Sequence, residues 1–229
     1  MNRKLPAIMA MAIVLALFAA LVDNYVSLRN AQPAFAEEQK KVIYLTFDDG
    51  PSDRVTPKIL DVLKKEKVPA TFFIVGTQAE RRKNILKRIY DEGHSIGVHS
   101  YSHKYKEIYS SREALLKDID KCNDVICSVT GSFTNIYRFP GGSFSVNAEL
   151  VEAVKNRGFK IIDWNASFCD SELKDITAGK LYTAALNTLS NPERIVMLAH
   201  DSTDKTETVE ALKEVIRHFK KKGYVFSGF

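Results

Sequence analysis

Two carboxylates stand side by side, Asp48 and Asp49, where the apolar run Val42–Phe47 ends in "YLTFDDGPS". Like charges at the mouth of a core strand repel each other unless something positive lies between them. Two imidazoles, His99 and His103, are four residues apart in "HSYSH". On a helical turn that spacing puts both rings on one face, where they can share a metal ion. Two His and one Asp make an open three-ligand site of the catalytic zinc type, with a position left for water. Asp49 as the third ligand leaves Asp48 free as a general base, next to water whose pKa the ion lowers to about 7. Arg138, in "RFPGG" beside the rigid Pro140, is the candidate partner that keeps Asp48 ionised and aimed. His200, in "MLAHD", is the candidate acid for a leaving amine. A carboxylate on its other ring nitrogen, Asp170 or Asp163, would raise its pKa.

Each of these residues has a plain structural explanation when taken alone. Asp-Asp-Gly-Pro is a turn signal, an HxxxH pair is common on surfaces, and a lone Arg is usually solvated. Their weight comes from where they fall together. Strand candidates lie at 42–47, 70–76, 94–100, 136–139, 159–164, 194–200 and 223–226. Helix candidates lie between them, at 57–65, 78–90, 112–129, 147–157, 178–189 and 206–221. Strands and helices alternating through short loops imply a parallel sheet covered by helices. Seven strands in about 190 residues suit a partly closed (β/α)7 barrel, with outer helices, better than a full eight-fold one. An open doubly wound sheet is the alternative. In either fold the active site lies at the C-terminal ends of the strands. Asp48, Asp49, His99, His103, Arg138, Asp163, Asp170 and His200 all follow strands in this register. His94, at a strand start, reads as structural, and His218 has no assigned role.

The chain's 229 residues are enough for one sizeable core and too few for two large domains. A net charge of +5, from 33 basic and 28 acidic residues, is mild and spread out. With no Arg-aromatic blocks and no GxxxxGK[ST] loop, nucleic acid and nucleotides are not expected partners. Leu5–Val22 carries no charge and, as a helix, would span about 27 Å, near the hydrocarbon thickness of a bilayer. "AFA", ending at Ala36, offers a small-x-small cleavage site. Residues 1–36 are therefore expected to be a signal peptide, or an anchor with a linker that contacts the membrane through residues 5–22. Residues 37–229 are then the exported domain, on the cell's outer face or beyond it. Residues 23–40 read as a polar linker. Of the cysteines, Cys122 and Cys127 are badly spaced for pairing on a helix, a bridge from Cys169 stays open, and buried thiols are the simplest reading. The region lacks HExxH, and "GGSFS" misses the GxSxG elbow, so a thermolysin-type protease or a Ser143 esterase fits poorly.

"TFDDGPS", "HSYSH", "RFPGGS" and "MLAHD", in this order, resemble the motifs of the polysaccharide deacetylases with the chitooligosaccharide-deacetylase homology domain, carbohydrate esterase family four. The resemblance runs from about Val42 to the C-terminus. It implies a partly closed (β/α)7 barrel and metal-dependent removal of acetyl groups from N-acetylglucosamine polymers. It implies Asp48 as base, Asp49, His99 and His103 as ligands of a divalent ion, Zn2+ being expected, Arg138 as the residue that orients the base, and His200 as acid. It also selects Asp170 over Asp163 as the carboxylate that tunes His200. Gly141, Trp164 and Pro140 are the expected substrate contacts. The expected partner is a cell-wall polysaccharide, peptidoglycan first and chitin-like oligomers second. An O-acetyl (xylan-type) esterase and a non-catalytic wall-binding protein are the alternatives. Two positions depart from the pattern: Gly141 stands where an aromatic often follows Pro, and Ser171 where Trp often follows the aspartate. Both open the pocket, so that an aromatic wall of the groove is expected to be missing.

Overall fold

The computed structural model describes residues 7–30 and 41–229. The chain divides into two units, Met1–Gln39 and Lys40–Phe229. The first holds one helix, α1 (Ala7–Asn30), whose side chains from Met11 to Val26 are exposed. Residues 23–30, expected as linker, are the end of this helix. Among the described residues no helix is long and apolar enough to cross a membrane. The cleavage site expected at Ala36 lies outside the described residues.

The second unit is the alternating fold. Its elements are β1 (Val42–Asp48), α2 (Thr56–Glu66), β2 (Thr71–Val75), α3 (Gly76–Arg81), α4 (Lys83–Asp91), β3 (Ser95–Ser100), α5 (Tyr105–Ile108), α6 (Arg112–Thr130) and β4 (Ile136–Tyr137). There follow α7 (Ala148–Asn156), β5 (Lys160–Ile161), β6 (Ala166–Ser167), α8 (Ala178–Asn187), β7 (Arg194–His200), α9 (Thr206–Lys221) and β8 (Val225–Phe226). The strand order is β5-β4-β3-β2-β1-β7-β6, with β8 on the early part of β1, and all pairings are parallel. This is a curled, partly closed seven-strand barrel, as the alternation of elements predicts.

The physical reasons are local and legible. β2 is buried at every position, as a strand covered on both faces must be. α6 starts on Ser111, whose hydroxyl accepts the Ala114 N–H, and stops at Gly131 in the left-handed region (φ 77°). Its buried stripe, Leu115, Ile119, Cys122 and Ile126, recurs at helical spacing. α9 buries Val209, Leu212, Ile216 and Phe219 in the same way, and ends in His218, Lys220 and Lys221, where cations favour the helix dipole.

Two of the expected elements differ in a way that matters here. The helix expected over 78–90 is two helices, because Arg82 (φ −135°, ψ 45°) leaves helical geometry between them. The strand expected over 159–164 is cut to Lys160–Ile161. The chain then turns away and re-enters the sheet as β6, beside β7 rather than β4. Among the described residues all three cysteines are free thiols; Cys122 is buried, its thiol 3.3 Å from the Ile74 carbonyl oxygen.

Candidate active site

Register builds the site. Asp48 is level with His200 across the β1–β7 pair, so the candidate base and acid are neighbours at the ends of adjacent strands. β3 brings His99 to the same rim, and β4 delivers Arg138, whose N–H donates to the Val98 carbonyl (3.0 Å). Asp49, Gly141, Trp164 and His103 complete an open cavity of about 400 Å³ with Asp48, His99 and His200.

Asp48 is 3% exposed and Arg138 0%. Arg138 Nη1 donates to Asp48 Oδ1 (2.9 Å) and to Thr46 Oγ1 (2.7 Å), and Nε donates to the Ile162 carbonyl (2.8 Å). The guanidinium lies over the Phe73 ring, 4.2 Å from its centroid. Burial lowers the Arg138 pKa and the Asp48 charge opposes it, but an arginine stays protonated. The pair is a fixed, dry arm that ends in a carboxylate.

Asp49 adopts φ 76°, a left-handed conformation that Asp tolerates better than most residues. Its Oδ1 is buried without a hydrogen-bond partner, 3.4 Å from His99 Nε2 and 3.2 Å from His103 Nε2. Burial alone would raise the Asp49 carboxyl. The close approach of the His99 imidazole, with the charges of His103 and His200, outweighs it and holds the group below the usual carboxylate range. Burial lowers His103 toward the neutral, ligating form. His99 Nδ1 is held by the Arg138 carbonyl oxygen at 2.9 Å, which leaves Nε2 for the cavity.

The three donor atoms lie within 4.8 Å of one another. Tetrahedral bonds of about 2.1 Å place ligand atoms about 3.4 Å apart, close to both Asp49 distances. An orphaned buried oxygen between two imidazole nitrogens, all on one cavity wall, fits a divalent cation.

The imidazoles do not meet on a helical turn. His99 is in β3, and His103 (φ 57°) is in the loop that follows; the turn brings the rings to 5.2 Å between centroids. Asp118 of α6 shapes that loop. Its carboxylate accepts from Ser100 Oγ (2.6 Å), the Tyr101 and Ser102 N–H groups (2.7 and 3.0 Å) and Ser102 Oγ (2.8 Å). Ser100 Oγ in turn accepts the His103 N–H at 2.9 Å.

Asp170, 1% exposed, faces His200: Oδ1 is 2.7 Å from Nδ1, and Oδ2 accepts the His200 N–H and the Thr208 hydroxyl. Burial disfavours the imidazolium, but the hydrogen bond and charge of Asp170, with Asp48 and Asp49 nearby, raise His200 to about 9. Ser171, the departure from the family pattern after Asp170, also sits 3.1 Å from Nδ1. Asp163, the other carboxylate left open by spacing, is engaged elsewhere. It accepts the Ser143 N–H (2.9 Å) and the Ser143 hydroxyl, which pins the Gly141-Gly142 turn.

Gly141 (φ 80°) and Trp164 line the cavity, but Pro140 does not. Pro140 is buried, and its carbonyl accepts the Tyr109 hydroxyl (2.8 Å), so it supports the wall rather than forming it. The expected gap in aromatic lining is filled: Tyr105 and Phe144 join Trp164 on the wall. Another residue that spacing does not reveal is Asp201, buried under the Asp48–Gly50 turn. Thr56 donates to its Oδ2 (2.6 Å), and Oδ1 has no partner. Burial raises its carboxyl to about 7. A Cβ at Gly50 would stand 2.1 Å from Asp201 Oδ2, so only glycine fits there.

The sequence profile of the polysaccharide deacetylases matches residues 36–162, more than half of the chain. The chain belongs to the polysaccharide deacetylase family. A peptidoglycan-N-acetylmuramic acid deacetylase, PdaA of Bacillus subtilis, is 34% identical over 82% of this chain and 70% of its own length. Among solved structures, the catalytic domain of a peptidoglycan N-acetylglucosamine deacetylase from Eubacterium rectale superposes with a TM-score of 0.77. It shares 34% identity over 88% of this chain and 94% of that one. A CE4 family pseudoenzyme from Bacillus anthracis superposes at 0.73, with 26% identity over 83% of this chain and 64% of that one. Polysaccharide deacetylase architecture is thus shared by active and inactive proteins, and the residues of the site must carry the functional reading.

Proposed function

We propose that the chain is a metal-dependent hydrolase that removes N-acetyl groups from an N-acetylglucosamine-containing cell-wall polysaccharide, peptidoglycan first and chitin-like oligomers second. One observation carries this reading. The orphaned Asp49 Oδ1 and its two imidazoles share a cavity with a carboxylate locked by Arg138 and an imidazole locked by Asp170.

Asp49, His99 and His103 would hold the cation, and two imidazoles with one carboxylate suit Zn2+. Such an ion, when bound, polarises a carbonyl oxygen and lowers the pKa of water toward 7. The chain's own groups supply the other steps. Asp48, paired with and aimed by Arg138, accepts a proton from the attacking water. The Gly141 N–H donates to the carbonyl oxygen as negative charge builds there. His200, held as imidazolium by Asp170, gives its proton to the departing nitrogen. The amide C–N bond breaks, yielding acetate and a glucosamine unit that is cationic at neutral pH.

A wall substrate places this reaction outside the cytoplasmic membrane. We therefore take residues 1–36 as the export segment and 37–229 as the catalytic domain. The same residues could open an acetyl ester, and a protein that only binds the wall would need none of them. No candidate ligand or proton-transfer residue is substituted here, which favours an enzyme.

The test strips the full chain with a chelator, restores Zn2+ and measures acetate from peptidoglycan, N-acetylchitooligosaccharides and acetylxylan side by side. Zinc-dependent acetate from peptidoglycan is the expected result. Release from acetylxylan alone would make it an esterase, and release from none would leave the wall-binding reading.

A further inference from the structure

Tyr105 opens α5, immediately after the His99–His103 loop. It is 46% exposed, yet its position is fixed on three sides. Its ring meets His103 edge-on (5.4 Å between centroids) and Tyr109 edge-on (5.8 Å). On the third side lies Gly141. A Cβ there would stand 3.3 Å from Tyr105 Cε1 and 3.5 Å from its hydroxyl oxygen. The Tyr105 ring therefore packs closely against the backbone at 141. Tyr109, which braces Tyr105, is itself tethered to the Pro140 carbonyl (2.8 Å). A half-exposed aromatic ring already held in place loses little freedom when a ligand packs on it. Its apolar face and polar tip suit a sugar, whose ring carries C–H faces and a rim of hydroxyls. Other aromatic groups on this cavity come from different loops: Trp164, and Phe144, which is 73% exposed. Phe144 and Trp164 brace each other edge-on at 5.4 Å.

We propose that Tyr105 is a substrate-positioning and specificity residue, the platform on which the N-acetylated pyranose seats beside the Gly141 turn. This rests on the deacetylase reading above. The ring supplies contact surface for the sugar, and the hydroxyl supplies one hydrogen bond to it. Because Tyr105 touches His103, its effect on the sugar must be separated from any effect on the ion.

Steady-state kinetics on N-acetylchitooligosaccharides, with Zn2+ affinity measured in parallel by chelator competition, makes that separation for Tyr105→Ala, Tyr105→Leu and Tyr105→Phe. Tyr105→Ala and Tyr105→Leu are expected to raise KM at least tenfold while lowering kcat less than threefold. Tyr105→Phe is expected to raise KM about threefold, the size of one lost hydrogen bond. Zn2+ affinity should stay within threefold of the parent in all three. Tyr105→Leu keeps the side-chain bulk and so guards against a fold defect in the alanine variant. An unchanged KM in Tyr105→Ala and Tyr105→Leu would overturn the proposal. So would kcat and Zn2+ affinity falling together at constant KM, since Tyr105 would then act only by holding His103. A parent chain that releases no acetate from any glycan would instead refute the deacetylase reading.

Discussion

Asp48 and Asp49 are chemically identical and adjacent, yet their surroundings give them different work. Asp48 is clamped by a buried guanidinium, and Asp49 is turned by a positive φ toward two imidazoles. Asp48→Asn keeps the shape of the arm and removes its basicity. We expect kcat to fall by about 10²–10⁴, with Zn2+ binding retained in a chelator-competition titration. His200 must be protonated to act as an acid, so activity is lost as pH rises through its pKa. That group lies at about 9 with Asp170 against it, and a nearby cation would draw it lower. The alkaline limb of the kcat–pH profile is therefore expected at or below pH 9. Asp170→Asn removes the charge that favours imidazolium and should move the limb further toward 6.5, the ordinary histidine value. A limb that stays in place would contradict the assignment of Asp170.

At the scale of elements, long apolar runs and helical stripes were readable because packing fixes them. β1, β2 and β7, and the buried faces of α6 and α9, follow directly from residue types. The short strands were harder to read. β4, β5 and β6 have two residues each, too few for any periodicity, and their places are set by backbone bonds to neighbours. The candidate ligands, base and acid were legible as a group because unusual residue types collect at strand ends, and the structure brings them to one cavity. Asp118 and Tyr105 were not: one is a carboxylate on an amphipathic helix, the other an ordinary loop aromatic, and only tertiary contact distinguishes them. The HxxxH spacing pointed to a pair of imidazoles that do lie together, but through the wrong geometry, since a loop bound to Asp118 brings them there. That assigns Asp118 a measurable role. Asp118→Asn gives up acceptor capacity for four donors that shape the ligand loop, and should weaken Zn2+ binding about 10–100-fold. Chelator competition reads this directly, and circular dichroism of the metal-free variant verifies its fold.

At the scale of the whole molecule, the cation would tie β1, an interior strand of the sheet, to β3 and the loop after it. An ion that binds the folded chain and not the unfolded one stabilises it by about 2.7 kcal/mol at a hundredfold excess over its Kd. For a chain of this length that is a rise in Tm of about 5–10 °C. Thermal unfolding with Zn2+ and with excess chelator should differ by this amount, and His99→Ala should abolish the difference. The barrel itself is held by a contiguous apolar core, including Phe47, Phe72, Leu86, Ile119, Met197 and Ile216. The metal-free chain should thus unfold cooperatively, only earlier. The proposed chemistry depends most on a single cation between Asp49, His99 and His103. Its most direct test is an anomalous difference map at the zinc edge from crystals of the zinc-loaded chain. One peak about 2.0–2.2 Å from Asp49 Oδ1 and both Nε2 atoms is the predicted result. A map with no peak there, or with zinc bound only at another site, would contradict it.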